Sequence, residues 1–286
     1  MTAAALMAAH GWARETIAIV TVTTSGDRIQ DRALAEVGGK ALWTKELEGA
    51  LFSGEIDCAV HSMKDVETIR PEEITIAAML PRAAVEDRLI GADSIAALRP
   101  GAIIGTSSPR RAAQLKALRP DLETRLLRGN VATRLAKVQA GEFDATLLAA
   151  AGLDRLGQGD VGAKIPVETM LPAVAQGAVG IECRTDDARA IALLAAISHQ
   201  PTYRCVMAER ALLLALGGSC HSPIAALARD QGEDILLRAQ ILSEDGGEQA
   251  SGEALLTSGD VAGAAALGRL LLEQSSQSLR ALFEAS

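Results

Sequence analysis

The 286-residue chain carries 28 Lys and Arg against 36 Asp and Glu, for a net charge of −8, with only two Trp, one Tyr and three Phe. A chain this acidic and this poor in aromatic rings is ill suited to stacking on bases, so no nucleic-acid partner is expected. No run approaches the roughly 18 apolar residues of a membrane span, so no membrane partner is expected either.

The opening MTAAALMAAHGWAR lacks the basic start and apolar core of a signal peptide, so a cytoplasmic globular protein of two or three domains is expected. The β-branched run TIAIVTVTT (16–24) reads as a buried parallel strand. ALWTKELEGALFSG (41–54) has helical spacing and ends at Gly54, a candidate C-cap, and IDCAVHS (56–62) reads as a strand. AIIGTSS (102–108) is strand into loop, and PRRAAQLKAL (109–118) is a helix with Pro109 in its first turn. VATRLAKVQAG (131–141) is helix and FDATLLAA (143–150) is strand.

SGEIDCAV (53–60) and AGEFDATL (140–147) share a Gly-Glu-apolar-Asp pattern between helix and strand. The pattern arises either from two ordinary glycine C-caps or from two related α/β domains facing across a cleft, where small ligands bind. Beyond residue 200 the texture changes to a helix (YRCVMAERALLLALGG), hairpin strands turning at Asp245-Gly246-Gly247, and a closing helix (DVAGAAALGRLLLEQSS). The fold class expected is α/β, with two such domains around a cleft and a smaller α+β C-terminal domain.

Residues 106–137 hold Arg110, Arg111, Lys116, Arg119, Arg125, Arg128, Arg134 and Lys137 against Asp121 and Glu123, a local balance of 8 − 2 = +6. A charge run by itself is usually a solvated helix face. Here Ser107 and Ser108 immediately precede a helix, where hydroxyls and free N–H groups bind anions. Arg110 and Arg111 lie in its first turn, where the macrodipole disfavours cations unless a negative ligand offsets them. Arg128-Gly129-Asn130 opens the next helix and Arg134 follows within it. Two arginine-bearing helix starts suggest a pocket for carboxylates or phosphates, between which this pattern does not choose.

A second candidate is His61-Ser-Met-Lys-Asp65, at the carboxyl end of a strand, where parallel sheets face their ligand crevice. Asp65 there either caps a turn or, facing the cations, stays ionised to stabilise positive charge or pass a proton. A third is Leu216-Gly-Gly-Ser-Cys-His-Ser-Pro223. Cys220 follows two glycines in a loop and is expected to be accessible but unactivated, a point of attachment for a strong electrophile. Cys58 and Cys183 read as inert core thiols. The four Cys and four His show no ligand spacing, so neither a disulfide framework nor a metal is expected.

VGGKALWTKELE, AVHSMKDV, IGTSSPRR, LRGNVATRL, LAAAGLDRLG, LPAVAQGAVGIECR and GGSCHSPI, in this order, resemble the porphobilinogen deaminase family over nearly the whole chain. The resemblance implies three domains: residues 1–78 with 178–197, where the chain returns to complete the first; 79–177; and 198–286. It implies a monomeric cytoplasmic transferase that condenses porphobilinogen head to tail with loss of ammonia and releases hydroxymethylbilane with water.

It also implies a dipyrromethane cofactor in thioether linkage to Cys220, with Asp65 catalytic. Cofactor contacts would come from Lys64, Asp65, Thr106, Ser107, Ser108, Arg110, Arg111, Arg128, Gly129 and Arg134. Substrate contacts would come from Lys40, Arg128, Arg134, Arg155 and Gln176. Against the family pattern, the sequence opens inside the first helix, so the usual initial strand and its Arg-x-Ser-x-Leu-Ala motif have no counterpart. Glu36 stands where a cation is common. The alternative from another class is a non-catalytic protein of the two-domain periplasmic-binding type that holds a small anion in the same cleft.

Overall fold

A computed structural model describes residues 1–22, 44–219 and 222–284. Lys40, Glu36 and Cys220 lie outside the described residues.

Helix α1 (Thr2–His10) ends at Gly11 in the left-handed conformation, and a 3₁₀ turn covers Arg14–Thr16. The strand expected over 16–24 is absent from the described part of that run: residues 17–22 join no sheet, and Ile19 and Val20 are exposed. β-Branched residues favour an extended backbone. That backbone becomes a strand only when a neighbour takes up its ladder hydrogen bonds, and among the described residues none does.

Helix α2 (Lys45–Phe52) buries Ala50 and Leu51, and Leu51 packs with Ala59 and Ile74. It leads into β1 (Ala59–Ser62). After β2 (Ile74–Met79) the chain crosses into a second sheet made of β3 (Asp87–Ile90), β4 (Ile103–Gly105), β5 (Glu123–Arg125), β6 (Ala145–Ala149) and β7 (Ala163–Lys164). Its order is β5-β4-β6-β3-β7, with β4 parallel to β5 and β6, and β3 antiparallel to β6 and β7. Helices α3 (Pro109–Leu118), α4 (Val131–Gln139) and α5 (Ala150–Arg155) belong to this part. Leu89, Ile104, Leu115, Leu147 and Met170 form its core.

The chain then returns. β8 (Val179–Arg184) inserts between β1 and β2 and is antiparallel to both. The crevice argument made for the Asp65 strand assumed a parallel sheet, and among the described residues β1 has only an antiparallel partner. A four-residue strand carries no mark of its partner's direction, so the sequence could not reveal this. The repeated Gly-Glu-apolar-Asp pattern does recur as geometry: Gly54 after α2 and Gly141 after α4 both have positive φ (73° and 75°), and each precedes a strand.

Helix α6 (Ala188–Ala195) is followed by α7 (Gln200–Ala215) and by an antiparallel sheet of β9 (Ile224–Asp230), β10 (Asp234–Leu242) and β11 (Gln249–Thr257). Helices α8 (Val261–Gln274) and α9 (Gln277–Glu284) close the fold. β9, from SPIAALARD, was missed because its small residues alternate poorly; it is buried on both faces. Val206, Leu212, Leu237, Ile241 and Leu271 form the core here, and Met63, Met79 and Ala175 pack into the same cluster. Val167 and Leu171 of the second part pack against Ala225 and Leu227 of β9. The architecture is mixed α/β with a smaller C-terminal α+β part.

Candidate active site

The Asp65 segment is a 3₁₀ turn, Met63–Asp65, leaving β1. Residues three apart eclipse in such a turn. Met63 and Val66 are accordingly both buried, at 1% and 7% exposure, and packed in the C-terminal core, which leaves Lys64 and Asp65 to face elsewhere. Met63 N–H donates to the Ala178 carbonyl at 3.1 Å. Gly180 on β8 passes so close beneath that a Cβ there would lie 2.1 Å from Met63 Sδ, so any side chain at 180 displaces the turn.

Lys64 and Asp65 line a cavity of about 180 Å³ with Ser62, Ala149, Gly152, Arg155, Gln176 and Gly177. Four predicted site residues, Lys64, Asp65, Arg155 and Gln176, thus meet in one space. Arg155 donates to the Gly177 carbonyl at 3.3 Å. Burial pushes the Asp65 carboxyl above its ordinary range, against the lowering pull of Lys64, His61 and Arg111. His61 Nε2 stands 3.0 Å from Glu182, a fully buried carboxylate that Arg70 grips with two hydrogen bonds of 2.7 and 2.9 Å.

The arginine cluster begins where β4 ends, at the carboxyl edge of the parallel strands. Thr106 Oγ1 accepts from Ser108 N–H at 3.1 Å, and the Ser108 side chain accepts from Arg111 N–H as the N-cap of α3. Arg110 and Arg111 are buried, at 3% and 7% exposure, and the negative charge beside them is internal. Asp87 takes Arg110 Nη2 at 2.9 Å and Arg111 Nη2 at 2.7 Å, and also accepts Gln176 Nε2 at 2.9 Å. A carboxylate of the chain therefore offsets one of the two positive charges at this helix start, where a negative ligand was expected. Burial alone would raise the Asp87 carboxyl, but the two guanidiniums outweigh it and hold it well below the usual carboxylate range.

Asp87 escaped the sequence reading. Its one signal is an acid opening the apolar strand DRLI, and its arginine partners lie 23 and 24 residues further along.

Arg134 differs. Its guanidinium donates to the Gly129 carbonyl at 2.9 Å and to Ser107 Oγ at 3.4 Å, and no carboxylate among the described residues pairs with it. Desolvation, with repulsion from Arg111 and Arg128, lowers it to about 10. Gly129 holds φ 111° ahead of the Asn130 N-cap, whose side chain accepts from Thr133 N–H at 2.9 Å. Arg110 Nε is buried with no hydrogen-bond partner among the described residues. Arg111, Arg128 and Arg134 thus crowd positive charge into one region beside Arg110.

Among the described residues no His, Cys, Asp and Glu group has a metal-binding arrangement, and no helix is long and apolar enough to cross a membrane. Burial and neighbouring negative charge raise Cys183 and Cys205 to about 11, and burial, with Asp57, also raises Cys58.

The described residues thus define an α/β protein with an arginine cluster beside a small cavity lined by Lys64, Asp65, Arg155 and Gln176. The comparisons give its family. Residues 1–192 match the family model described as porphobilinogen deaminase, dipyromethane cofactor binding domain, and residues 203–276 match porphobilinogen deaminase, C-terminal domain. The chain is 60% identical to the porphobilinogen deaminase of Sphingopyxis alaskensis over 99% of its own length and 91% of that protein's. It is 52% identical to that of Paracoccus denitrificans over 94% and 86%. Among solved structures, a TRAP periplasmic solute binding protein from Desulfovibrio salexigens matches at 10% identity with a TM-score of 0.34, covering 56% of this chain and 60% of that one. The chain belongs to the porphobilinogen deaminase family.

Proposed function

We propose that the chain is a hydroxymethylbilane synthase. It condenses four porphobilinogen molecules head to tail with loss of ammonia, on a dipyrromethane primer in thioether linkage to Cys220, and releases the linear tetrapyrrole by hydrolysis. The observation that carries this reading is the cavity where Asp65, Lys64, Arg155 and Gln176 meet, next to the arginine cluster.

The residues fit the primer, whose rings carry acetate and propionate groups. Among the described residues Arg134 has no carboxylate partner and Arg110 Nε has no hydrogen-bond partner. On this reading Arg134 and Arg128 take ligand carboxylates directly, while Thr106, Ser107, Ser108 and Gly129 supply neutral hydrogen-bonding groups. Arg110 and Arg111, fixed by Asp87, hold a steady positive potential, and Arg110 offers Nε. When bound, the primer supplies the nucleophilic pyrrole carbon that accepts each new ring.

Asp65 handles the proton and the charge. Its carboxyl, raised by burial, passes a proton to the departing ammonia, and the carboxylate left behind stabilises positive charge developing on the substrate methylene. Lys64 contacts the acidic side chains of the primer, while Arg155 and Gln176 contact the substrate in the same cavity. Lys40 adds a further cation. The working chain is a cytoplasmic monomer divided as 1–78 with 178–197, 79–177, and 198–286.

Intact mass of the purified chain, Ehrlich's reagent on the denatured protein and consumption of porphobilinogen test this together. A dipyrrole adduct mapped to Cys220, with turnover, is expected. An unmodified mass with tight anion binding and no turnover would overturn it in favour of a binding protein.

A further inference from the structure

Helix α3 carries Arg110 and Arg111 at its start, and the C-terminal part of the chain touches the same helix at two points. Asp245-Gly246-Gly247, the turn between β10 and β11, sits directly on its backbone. Gly246 has φ 71°, and a Cβ there would lie 2.5 Å from the Ala113 carbonyl oxygen and 2.6 Å from Ala117 N. The second contact is a file of side-chain amides. Arg110 Nη1 donates to Gln114 Oε1 at 3.0 Å, Gln114 Nε2 donates to Gln240 Oε1 at 3.0 Å, and Gln240 Nε2 donates to Gln249 Oε1 at 2.9 Å.

The polarity of this file is not arbitrary. A guanidinium can only donate, so Gln114 must turn its oxygen to Arg110. Its amide nitrogen then faces the Leu171 carbonyl at 3.2 Å, which can only accept, and Gln240. Gln240 must in turn present oxygen and send its own nitrogen to Gln249. Gln114 is 3% exposed, so an unanswered N–H there has little recourse to water.

We infer that Gln240, on β10, is a positioning residue for the arginine cluster. Acting as a hydrogen-bond acceptor, it fixes Gln114 and through it the guanidinium of Arg110, so that the C-terminal sheet is registered to the groups that receive ligand carboxylates. This rests on the synthase reading above. What Gln240 must supply is an acceptor, not bulk or charge neutrality.

Gln240→Leu keeps the approximate volume and removes the acceptor, whereas Gln240→Glu keeps it and Gln249 can rotate its amide to donate. Losing one such hydrogen bond in a ground-state binding group raises KM for porphobilinogen by about fivefold, with little change in kcat. The expected result is a Gln240→Leu enzyme with that rise and a Gln240→Glu enzyme within about twofold of wild type. Thermal midpoints of both variants identify loss of fold as a separate effect. Equal KM values for the Leu, Glu and wild-type chains would overturn the relay and leave the synthase reading standing. A wild-type chain that consumes no porphobilinogen would overturn both.

Discussion

Arg82 and Glu209, 127 residues apart, form a two-pronged ion pair with N–O distances of 2.7 and 3.0 Å, and Glu209 is fully buried. Each Glu209 oxygen also takes one backbone donor, Ala228 N–H at 2.7 Å and Ala175 N–H at 2.6 Å. Arg82 lies on the outgoing crossover between the first two sheets and Ala175 on the returning one. Arg82 Nε also donates to the Gln176 carbonyl at 2.9 Å. One carboxylate of α7 therefore secures both crossovers next to the cavity. Ala175, at φ 60°, is the one non-glycine residue with positive φ among those described, held in a conformation that costs an L residue about 1 kcal/mol.

Glu209→Ala is expected to lower unfolding stability by about 3–5 kcal/mol, since it leaves Arg82 buried without its counter-charge and two backbone N–H groups unanswered. Urea unfolding measures this. A loss below about 1 kcal/mol would mean that the crossovers are held by apolar packing alone.

Asp87 supports the arginine cluster with a pH signature. Its folded pKa lies below the unfolded value of about 3.9, so its contribution is fully present above that value and is lost as pH falls through the folded pKa. Asp87→Asn is expected to be less stable at pH 7 and to show a shallower further loss below about pH 4. Denaturant midpoints across pH 7 to 2.5 test it, and parallel acid limbs in the two proteins would remove Asp87 from this role.

For Asp65 the shift runs the other way. A raised folded pKa favours the protonated form, so the contribution to stability is present below the unfolded value and is lost as pH rises through the folded one. Asp65→Asn is therefore expected to fold at least as well as wild type at neutral pH, while turnover falls by about 10²-fold or more. An Asp65→Asn enzyme with near-normal turnover would contradict the assignment.

Arg134 and Arg111 are expected to respond differently to replacement. Arg134 lacks a carboxylate partner among the described residues, so Arg134→Ala should raise KM about tenfold or more with little loss of fold. Arg111→Ala breaks a buried pair and should destabilise the chain by about 3–5 kcal/mol. Thermal midpoints and steady-state kinetics on both variants decide, and the reverse pattern would exchange their roles.

Cys183 and Cys205, raised to about 11 and buried, are expected to resist alkylation at pH 8 in the folded protein and to react only after denaturation. Peptide mapping after iodoacetamide reads this directly. Labelling of either residue in the native state would show local opening of its core.

Much of this protein follows from local sequence. Pro109 behind Ser108 and Thr133 behind Asn130 make helix starts whatever surrounds them, because capping satisfies N–H groups within three residues. Gly54 and Gly141 end helices for the same short-range reason. The seven motifs, read in order, carried the family and with it the residues of the cavity.

The pairings belong to the tertiary structure alone. Nothing near DRLI announces that Asp87 pairs with both Arg110 and Arg111, and nothing in α7 announces that Glu209 receives Arg82, Ala175 and Ala228. The run TIAIVTVTT illustrates the converse: extended propensity with no ladder partner among the described residues leaves 17–22 outside the sheets. Charge and hydrogen-bond partners are chosen by proximity in space, and a buried group's ionisation depends on which partners arrive. Local sequence therefore decided caps, turns and the positions of chemically able residues, while the fold decided which arginines pair with a carboxylate of the chain and which, like Arg134, have none among the described residues.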